Sequence, residues 1–240
     1  MSEKIVGIIG GMGPEATVDL MARIIKATPA SDDIDHIRLV VDNNPKVPSR
    51  IKALIEKTGE NPLPCLQNMA RKLEDWGVDF LVIPCNTAHF YYPGIQESVD
   101  IPVLNMINLA VEAVISETPD LRTVGVLAST AVLDLKLYEN CFTKNGVRLI
   151  SPSDSLQREV MGAIRTIKTS SYGREVVTAT QAAADDMVQR GAGALLLACT
   201  ELSIIAHQLK TSVTCHDAAQ ILAEAVVQNA KYNGLKPPGG

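Results

Sequence analysis

Two cysteines stand in the same setting at two places in the chain. Gly77-Val78-Asp79-Phe80-Leu81-Val82-Ile83-Pro84-Cys85-Asn86-Thr87 and Gly191-Ala192-Gly193-Ala194-Leu195-Leu196-Leu197-Ala198-Cys199-Thr200-Glu201 are each an apolar run opened by a turn glycine and closed by a cysteine with polar neighbours. Such runs read as buried parallel strands that deliver a thiol at their carboxyl ends, the end at which open α/β sheets bind ligands. A thiol beside the exposed N–H groups of a helix start has its pKa lowered, which makes it a usable base. Two thiols facing one carbon acid would do more. One thiolate removes a proton from one face and the other thiol returns a proton to the opposite face, which inverts the carbon. Oriented donors at the strand ends would stabilise the carbanion, and no metal is needed. A lone cysteine after an apolar strand is more often a small buried hydrophobe; two at matching repeat positions favour chemistry.

The elements that must place these thiols alternate strand with helix. Lys4–Ile9 reads as a strand, followed by the turn Gly10-Gly11-Met12-Gly13 and a helix from Pro14 to about Lys26. Ile37–Val41 reads as the second strand, running into the loop Asp42–Pro45, and residues Pro48 to Ile55 have helical spacing. Leu66, Met69, Ala70 and Leu73 fall at i, i+3, i+4 and i+7 of a helix from about Cys65 to Asp75. Val103–Ile107 reads as a short strand before a helix through Ile115. The order then starts again: a strand Arg122–Thr130, a helix Leu133–Asn145, a strand Arg148–Ile150, helices Leu156–Lys168 and Arg174–Arg190, the second cysteine strand, and a final helix Asp217–Asn229. The expectation is an α/β protein of two similar lobes, each a mainly parallel sheet flanked by helices, with the active site in the cleft between them. The lobes span residues 1–115 and 116–240, with the helix that ends each half free to pack on the other.

Composition narrows the class. With 240 residues and 46% hydrophobic content the chain can bury one large core or two small ones. A net charge of −5 leaves no basic patch of the kind a nucleic acid requires. No apolar run has the length of a membrane span, and Met1-Ser2-Glu3-Lys4 leads into a strand without a signal-peptide layout, so a cytoplasmic protein away from membranes is expected. The tail Leu235–Gly240 reads as a frayed terminus. Five cysteines without a C-x-x-C spacing indicate neither a zinc cluster nor a disulfide framework.

Three segments carry a resemblance. Ile83-Pro84-Cys85-Asn86-Thr87-Ala88-His89, Ala198-Cys199-Thr200-Glu201-Leu202 and Gly7-Ile8-Ile9-Gly10-Gly11-Met12-Gly13-Pro14-Glu15-Ala16-Thr17 together resemble the aspartate racemases of the aspartate/glutamate racemase superfamily, over nearly the whole chain. The resemblance implies two α/β lobes around one active site, racemisation without cofactor (no pyridoxal phosphate, no metal), a small amino-acid substrate and a homodimer. It makes Cys85 and Cys199 the catalytic acid/base pair. Arg50 and Lys168 match the basic residues that hold substrate carboxylate, a task that suits guanidinium and ammonium groups. Asn86, Thr87 and Thr200 match donors around the α-carboxylate, and Ser129 and Thr130 match the polar turn at the head of the second lobe. Met12, in the glycine turn, and Glu201, beside the second thiol, complete the substrate-binding set.

The chain also departs from the family pattern. Ala131-Val132 stand where relatives often carry Gly-Thr, and Ala198 where a glycine commonly precedes the second cysteine. Gly10-Gly11 and Glu201 argue against the glutamate branch, which opens with Asp-Ser and follows its second cysteine with Thr-His. Aspartate is thus the expected substrate, with glutamate, another amino acid or a hydantoin as the alternative, and a carboxylate-binding protein without catalysis as the reading from another class. Gly11-Met12-Gly13-Pro14-Glu15-Ala16 fits G-x-G-x-x-A, but Asp42 falls too late for the acidic residue of a dinucleotide site, so the turn reads as a close backbone approach for a small carboxylate. His89 reads either as a proton relay or, beside Phe90-Tyr91-Tyr92, as a packing and hydrogen-bonding residue. Glu201 either steers the protonation of Cys199 or only caps a helix, and Cys65, Cys141 and Cys215 read as structural.

Overall fold

The structure is a computed structural model that describes residues 4–169 and 172–232. The expectations for Met1–Glu3 and for the tail Leu235–Gly240 lie outside the described residues. Contacts divide the chain into two units, residues 1–106 with 220–240, and residues 107–219. The division therefore falls at Met106 and Gln220 rather than at residue 115. The closing helix joins the first unit through its own bonds: Lys4 N–H donates to Ala230 O at 3.4 Å, and Lys231 Nζ donates to Asp35 O.

The first unit holds β1 (Val6–Gly10), α1 (Pro14–Ala27), β2 (Leu39–Asn43), α2 (Leu63–Asp75), β3 (Phe80–Val82) and α3 (Tyr92–Gln96). Among the described residues its strands form a parallel sheet in the order β2-β1-β3. The chain continues through α4 (Met106–Glu117), β4 (Thr123–Ala128), α5 (Thr130–Asp134), α6 (Glu139–Lys144), β5 (Arg148–Ile150), α7 (Asp154–Ile167), α8 (Arg174–Gln189), β6 (Ala194–Ala198), α9 (Thr200–Ile204), β7 (Thr214–Asp217) and α10 (Ala218–Tyr232). The second sheet, also parallel, runs β5-β4-β6-β7. Every residue of β1, β3, β4 and β6 is buried, as expected for strands covered on both faces.

The repeat read from the cysteine segments extends to packing. Gly7 pairs with Leu81 and Gly125 with Leu195. A Cβ on Gly7 would lie 2.5 Å from Leu81 and 3.4 Å from Leu73 of α2; on Gly125 it would lie 2.7 Å from Leu195 and 3.0 Å from Met187 of α8. Each glycine thus lets the helix before the cysteine strand sit close on the sheet. Those helices also end alike. Gly77 (φ 92°) and Gly191 (φ 91°) take the left-handed conformation, and the next residue reaches back five positions, Val78 to Leu73 O at 3.5 Å and Ala192 to Met187 O at 3.0 Å, a Schellman cap.

Four readings of the sequence are corrected here. The helix expected over Leu133–Asn145 is two short helices, because Lys136 turns to φ 52° and Leu137 N–H returns to Val132 O at 3.2 Å, after which Tyr138 and Phe142 enter the core. The strand expected over Val103–Ile107 is a single bridge, Val103 to Leu81, since α4 begins at Met106. Pro48–Ile55 ends in a π-helical turn, Lys52–Glu56, closed by Lys57 in the left-handed region. β7 was not read from the sequence: Thr214-Cys215-His216-Asp217 lacks the apolar run of the other strands, and its pairing to β6 alone makes it an edge.

His89 ties the turn after Cys85 to the start of α4. Met106 N–H donates to His89 Nε2 at 3.0 Å, so Nε2 is the acceptor nitrogen, and Nδ1 donates its proton to Cys85 O at 2.9 Å. The bond from Met106 needs the neutral ring, because a protonated Nε2 has no lone pair to accept it. Burial lowers the pKa to about 4, against the upward pull of the Cys85 and Leu104 carbonyls. The ring is a clamp rather than a proton relay.

Two outcomes follow from this framework. Gly77→Ala and Gly191→Ala each lower unfolding stability by about 1 kcal/mol in urea titrations, since neither added Cβ meets a neighbour within 4 Å and the backbone conformation alone is penalised. For His89, the folded pKa lies below the unfolded value of 6.5, so the unfolded chain binds more protons and stability falls as pH drops from 6.5 toward 4, by about 3 kcal/mol in total. Urea midpoints measured across that range should show a component that His89→Gln removes.

Candidate functional site

In the first unit the site residues gather at the carboxyl ends of β1, β2 and β3. The turn after β1 is held by Thr17, which is fully buried: Gly11 N–H donates to Thr17 Oγ1 at 2.9 Å, and Thr17 Oγ1 donates to Gly13 O at 3.1 Å. Gly11 has φ 90°, and a Cβ there would lie 2.2 Å from the backbone of Asn44, the residue after β2. Only glycine allows the two strand ends to meet this closely. Met12 is 2% exposed, so its backbone is the part a ligand could meet.

Cys85 follows β3 through Ile83 and Pro84 and is buried. Its N–H donates to Ile83 O at 2.8 Å, and its carbonyl accepts from Ala88 N–H at 3.2 Å as well as from His89. Asn86 is buried and Thr87, half-buried, opens the 3₁₀ turn Thr87–Tyr91. Arg50 donates through Nη1 to Val47 O at 3.1 Å and Pro48 O at 2.8 Å. Its charge opposes the rise that burial imposes on the Tyr91 phenol, which places the guanidinium near the turn that follows Cys85.

In the second unit, Ala128 and Ala198 are paired residues at the ends of β4 and β6, so Ser129 and Cys199 leave neighbouring strands side by side. Ser129 caps α5, its Oγ accepting Val132 N–H at 3.4 Å. Thr130 N–H points at Met161 Sδ, 3.2 Å away. Cys199 occupies the cap position of α9 and is 5% exposed. Its thiol donates to Glu201 Oε2 at 3.0 Å, while Lys168 Nζ lies 2.7 Å from Glu201 Oε1. The carboxylate thus joins thiol and ammonium in one chain.

The charge arrangement overturns one sequence expectation. The Cys199 pKa is raised well above the usual thiol value, first by burial, then by the charge of Glu201 and its hydrogen bond, with Lys168 pulling the other way. The amino end of α9 does not prevail over burial and a carboxylate that lies between the thiol and the Lys168 ammonium. Cys199 is a proton donor in this structure. Lys168, matched to substrate carboxylate in the sequence, here pairs with a carboxylate of the chain itself.

Several residues of this cluster escaped the sequence reading. Gln157 Nε2 donates to Ala128 O at 3.0 Å and to Thr130 Oγ1 at 3.2 Å, which fastens the end of β4. Gln157, Met161, Ile164 and Lys168 fall at i, i+4, i+7 and i+11, one stripe along α7, and that spacing was available as a signal. Behind Cys199, Ser203 Oγ donates to Asp217 Oδ1 at 2.5 Å and Ser203 N–H to Cys199 O at 3.1 Å. Asp217 ends β7, the strand without an apolar signature. Burial raises the pKa of the Tyr138 phenol, with smaller upward contributions from Cys141, Asp217 and Cys199, so this fully buried ring lies close to the same cluster.

Comparison with known proteins bears on the family and the fold. A sequence model of the family described as Asp/Glu/Hydantoin racemase matches residues 9–226. The chain is 29% identical over 227 residues to the broad specificity amino-acid racemase RacX of Bacillus subtilis, covering 92% of this chain and 96% of that one. Its fold superposes on the Picrophilus torridus aspartate racemase with a TM-score of 0.82 at 30% identity, over 95% of this chain and 94% of the other. A glutamate racemase of Francisella tularensis, in complex with D-glutamate, shares the fold with a TM-score of 0.68 at 19% identity, over 100% of this chain and 86% of the other. A family match from residue 9 to residue 226, with likeness to a curated racemase along nearly the whole of both chains, leads to one conclusion: the chain belongs to the Asp/Glu/Hydantoin racemase family and is an amino-acid racemase of the Asp/Glu racemase superfamily.

Proposed function

We propose that the chain interconverts L- and D-aspartate by a two-base mechanism in which Cys85 and Cys199 act on opposite faces of the α-carbon. The observation that carries this reading is the thiol of Cys199 donating to Glu201 while Lys168 neutralises the far oxygen of the same carboxylate. A thiol kept protonated in a dry site is an acid waiting for a carbanion. In the direction where Cys199 is the acid, the Cys85 thiolate removes the α-proton. The electron pair of the broken C–H bond passes into the α-carboxylate, and Cys199 then delivers its proton to the other face. Cys85 is left as thiol and Cys199 as thiolate, the state that starts the reverse reaction.

Arg50, Asn86, Thr87 and the Met12 backbone would hold substrate carboxylate from the first unit, and Ser129, Thr130 and Thr200 from the second. Glu201 acts on the thiol proton, and Lys168 tempers Glu201. An arriving carboxylate competes with Glu201 for the Lys168 ammonium. The likeness to the Picrophilus enzyme supports aspartate. A second reading, a racemase of broad specificity, is favoured by the similar likeness to RacX along nearly the whole of both chains.

Incubation of single amino acids in heavy water, followed by NMR of the α-proton, tests the reaction. Aspartate should exchange and racemise fastest, and Cys85→Ser and Cys199→Ser should each slow turnover on the order of 10²–10⁴-fold. Comparable rates on many amino acids would give the broad-specificity reading, while tight binding without exchange of any amino acid would leave a carboxylate-binding protein.

The protonation of Cys199 has its own test, alkylation of that residue by iodoacetamide followed by peptide mass spectrometry as pH is raised. Glu201→Gln removes the charge that opposes the thiolate, so the alkylation profile should move to lower pH. Lys168→Met removes the opposing cation and should move it to higher pH. A profile indifferent to both substitutions would contradict the role given to Glu201.

A further inference from the structure

Two side chains of α7 converge on one residue. Gln157 Nε2 donates to Thr130 Oγ1 at 3.2 Å, and Met161 Sδ, one turn further along, accepts Thr130 N–H at 3.2 Å. The helix thus fixes Thr130 at both side chain and main chain. The Gln157 amide also donates to Ala128 O at 3.0 Å. A carbonyl can only accept, so the amide has one orientation, with its nitrogen toward Ala128 and Thr130. The other end, Gln157 Oε1, is buried and takes no hydrogen bond among the described residues. An apolar side chain of similar length would leave no orphan acceptor there, so stability alone does not account for an amide at 157.

The bond from Gln157 decides what Thr130 can do. The threonine hydroxyl accepts from the amide, and its own proton goes to no acceptor among the described residues. Thr130 is half-buried just beyond the carboxyl end of β4, and the two residues after it, Ala131 and Val132, are buried and bring no polar side chain. Ser129 Oγ, before it, is engaged as the cap of α5. We propose that Gln157 is a positioning residue for substrate: by filling a lone pair of Thr130 Oγ1, it turns the threonine proton away from α7 and toward a carboxylate oxygen of the bound amino acid. A carboxylate oxygen only accepts and so matches that proton, whereas an ammonium only donates and leaves it unmatched. Accepting at Oγ1 also strengthens the bond that the hydroxyl donates. This inference rests on the reading in which Thr130 holds substrate carboxylate, and adds the residue that sets the direction of that contact.

The test combines heavy-water exchange kinetics, on the amino acid that the wild type turns over fastest, with calorimetric binding of succinate, a dicarboxylate that cannot racemise. Gln157→Met keeps the length of the side chain and removes both amide bonds. It should raise KM about fivefold and weaken succinate binding by a similar factor, with kcat within about twofold of wild type. Thr130→Val should raise KM about tenfold. Adding Gln157→Met to Thr130→Val should then raise it no further, because the amide acts through the hydroxyl. Gln157→Leu gives the same comparison if the methionine variant does not fold. A fall in kcat at unchanged KM would mean that Gln157 only fastens the strand end that leads to Ser129, and overturns the proposal. A KM effect that persists without the Thr130 hydroxyl overturns it as well. Unchanged KM and succinate affinity in Gln157→Met defeat the role of Gln157 and leave the proposed racemisation standing. A wild type that exchanges no amino acid defeats the racemisation, and succinate binding then decides the role of Gln157 by itself. A wild type that neither exchanges nor binds succinate overturns both.

Discussion

Ionising a buried thiol beside a carboxylate would set two negative charges about 3 Å apart where water cannot screen them, so the proton stays on sulfur. Much of the second unit is arranged around that constraint. Glu201 is 5% exposed, and Lys168 brings an ammonium to its carboxylate from the end of α7. Cys199 needs a fixed backbone, and Ser203 and Asp217 hold its carbonyl side. Tyr138 adds a ring that neither ionises nor admits solvent.

The first unit meets its constraint by a different route. Its thiol is fastened through the backbone, with one carbonyl accepting from a peptide N–H and a neutral imidazole. The imidazole in turn serves a helix start that would otherwise lack a partner for its N–H. The two halves share strand order around the cysteine, the glycine under the helix and the glycine that ends that helix. They differ in what surrounds the sulfur.

The parts of this architecture that were legible in the sequence are those written in local pattern. Apolar runs ending in Cys85 and Cys199 marked the strands β3 and β6, and Gly77 and Gly191 marked the breaks before them, because a left-handed turn leaves few alternatives to glycine. Residues whose role depends on meeting a distant partner were not legible. Asp217 ends a strand whose stability comes from pairing with β6, not from its own side chains. Gln157 has meaning only once the end of β4 is known to lie against α7. The lowered thiol pKa expected from a helix start failed at Cys199 because the thiol is buried and Glu201 turns back toward the sulfur, a matter of packing and rotamer rather than of local sequence.

The stripe along α7 sets a condition on how this protein can change. Gln157 grips the end of one strand and Lys168 neutralises a carboxylate beside the next, with 11 residues, close to three turns and about 16 Å, between them. Exchange of side chains on the outer surface of that helix leaves the span intact. Loss or gain of a single residue between the two would swing one grip about 100° away from its strand. The interval from 157 to 168 is therefore a gauge length, free to drift in composition but not in number.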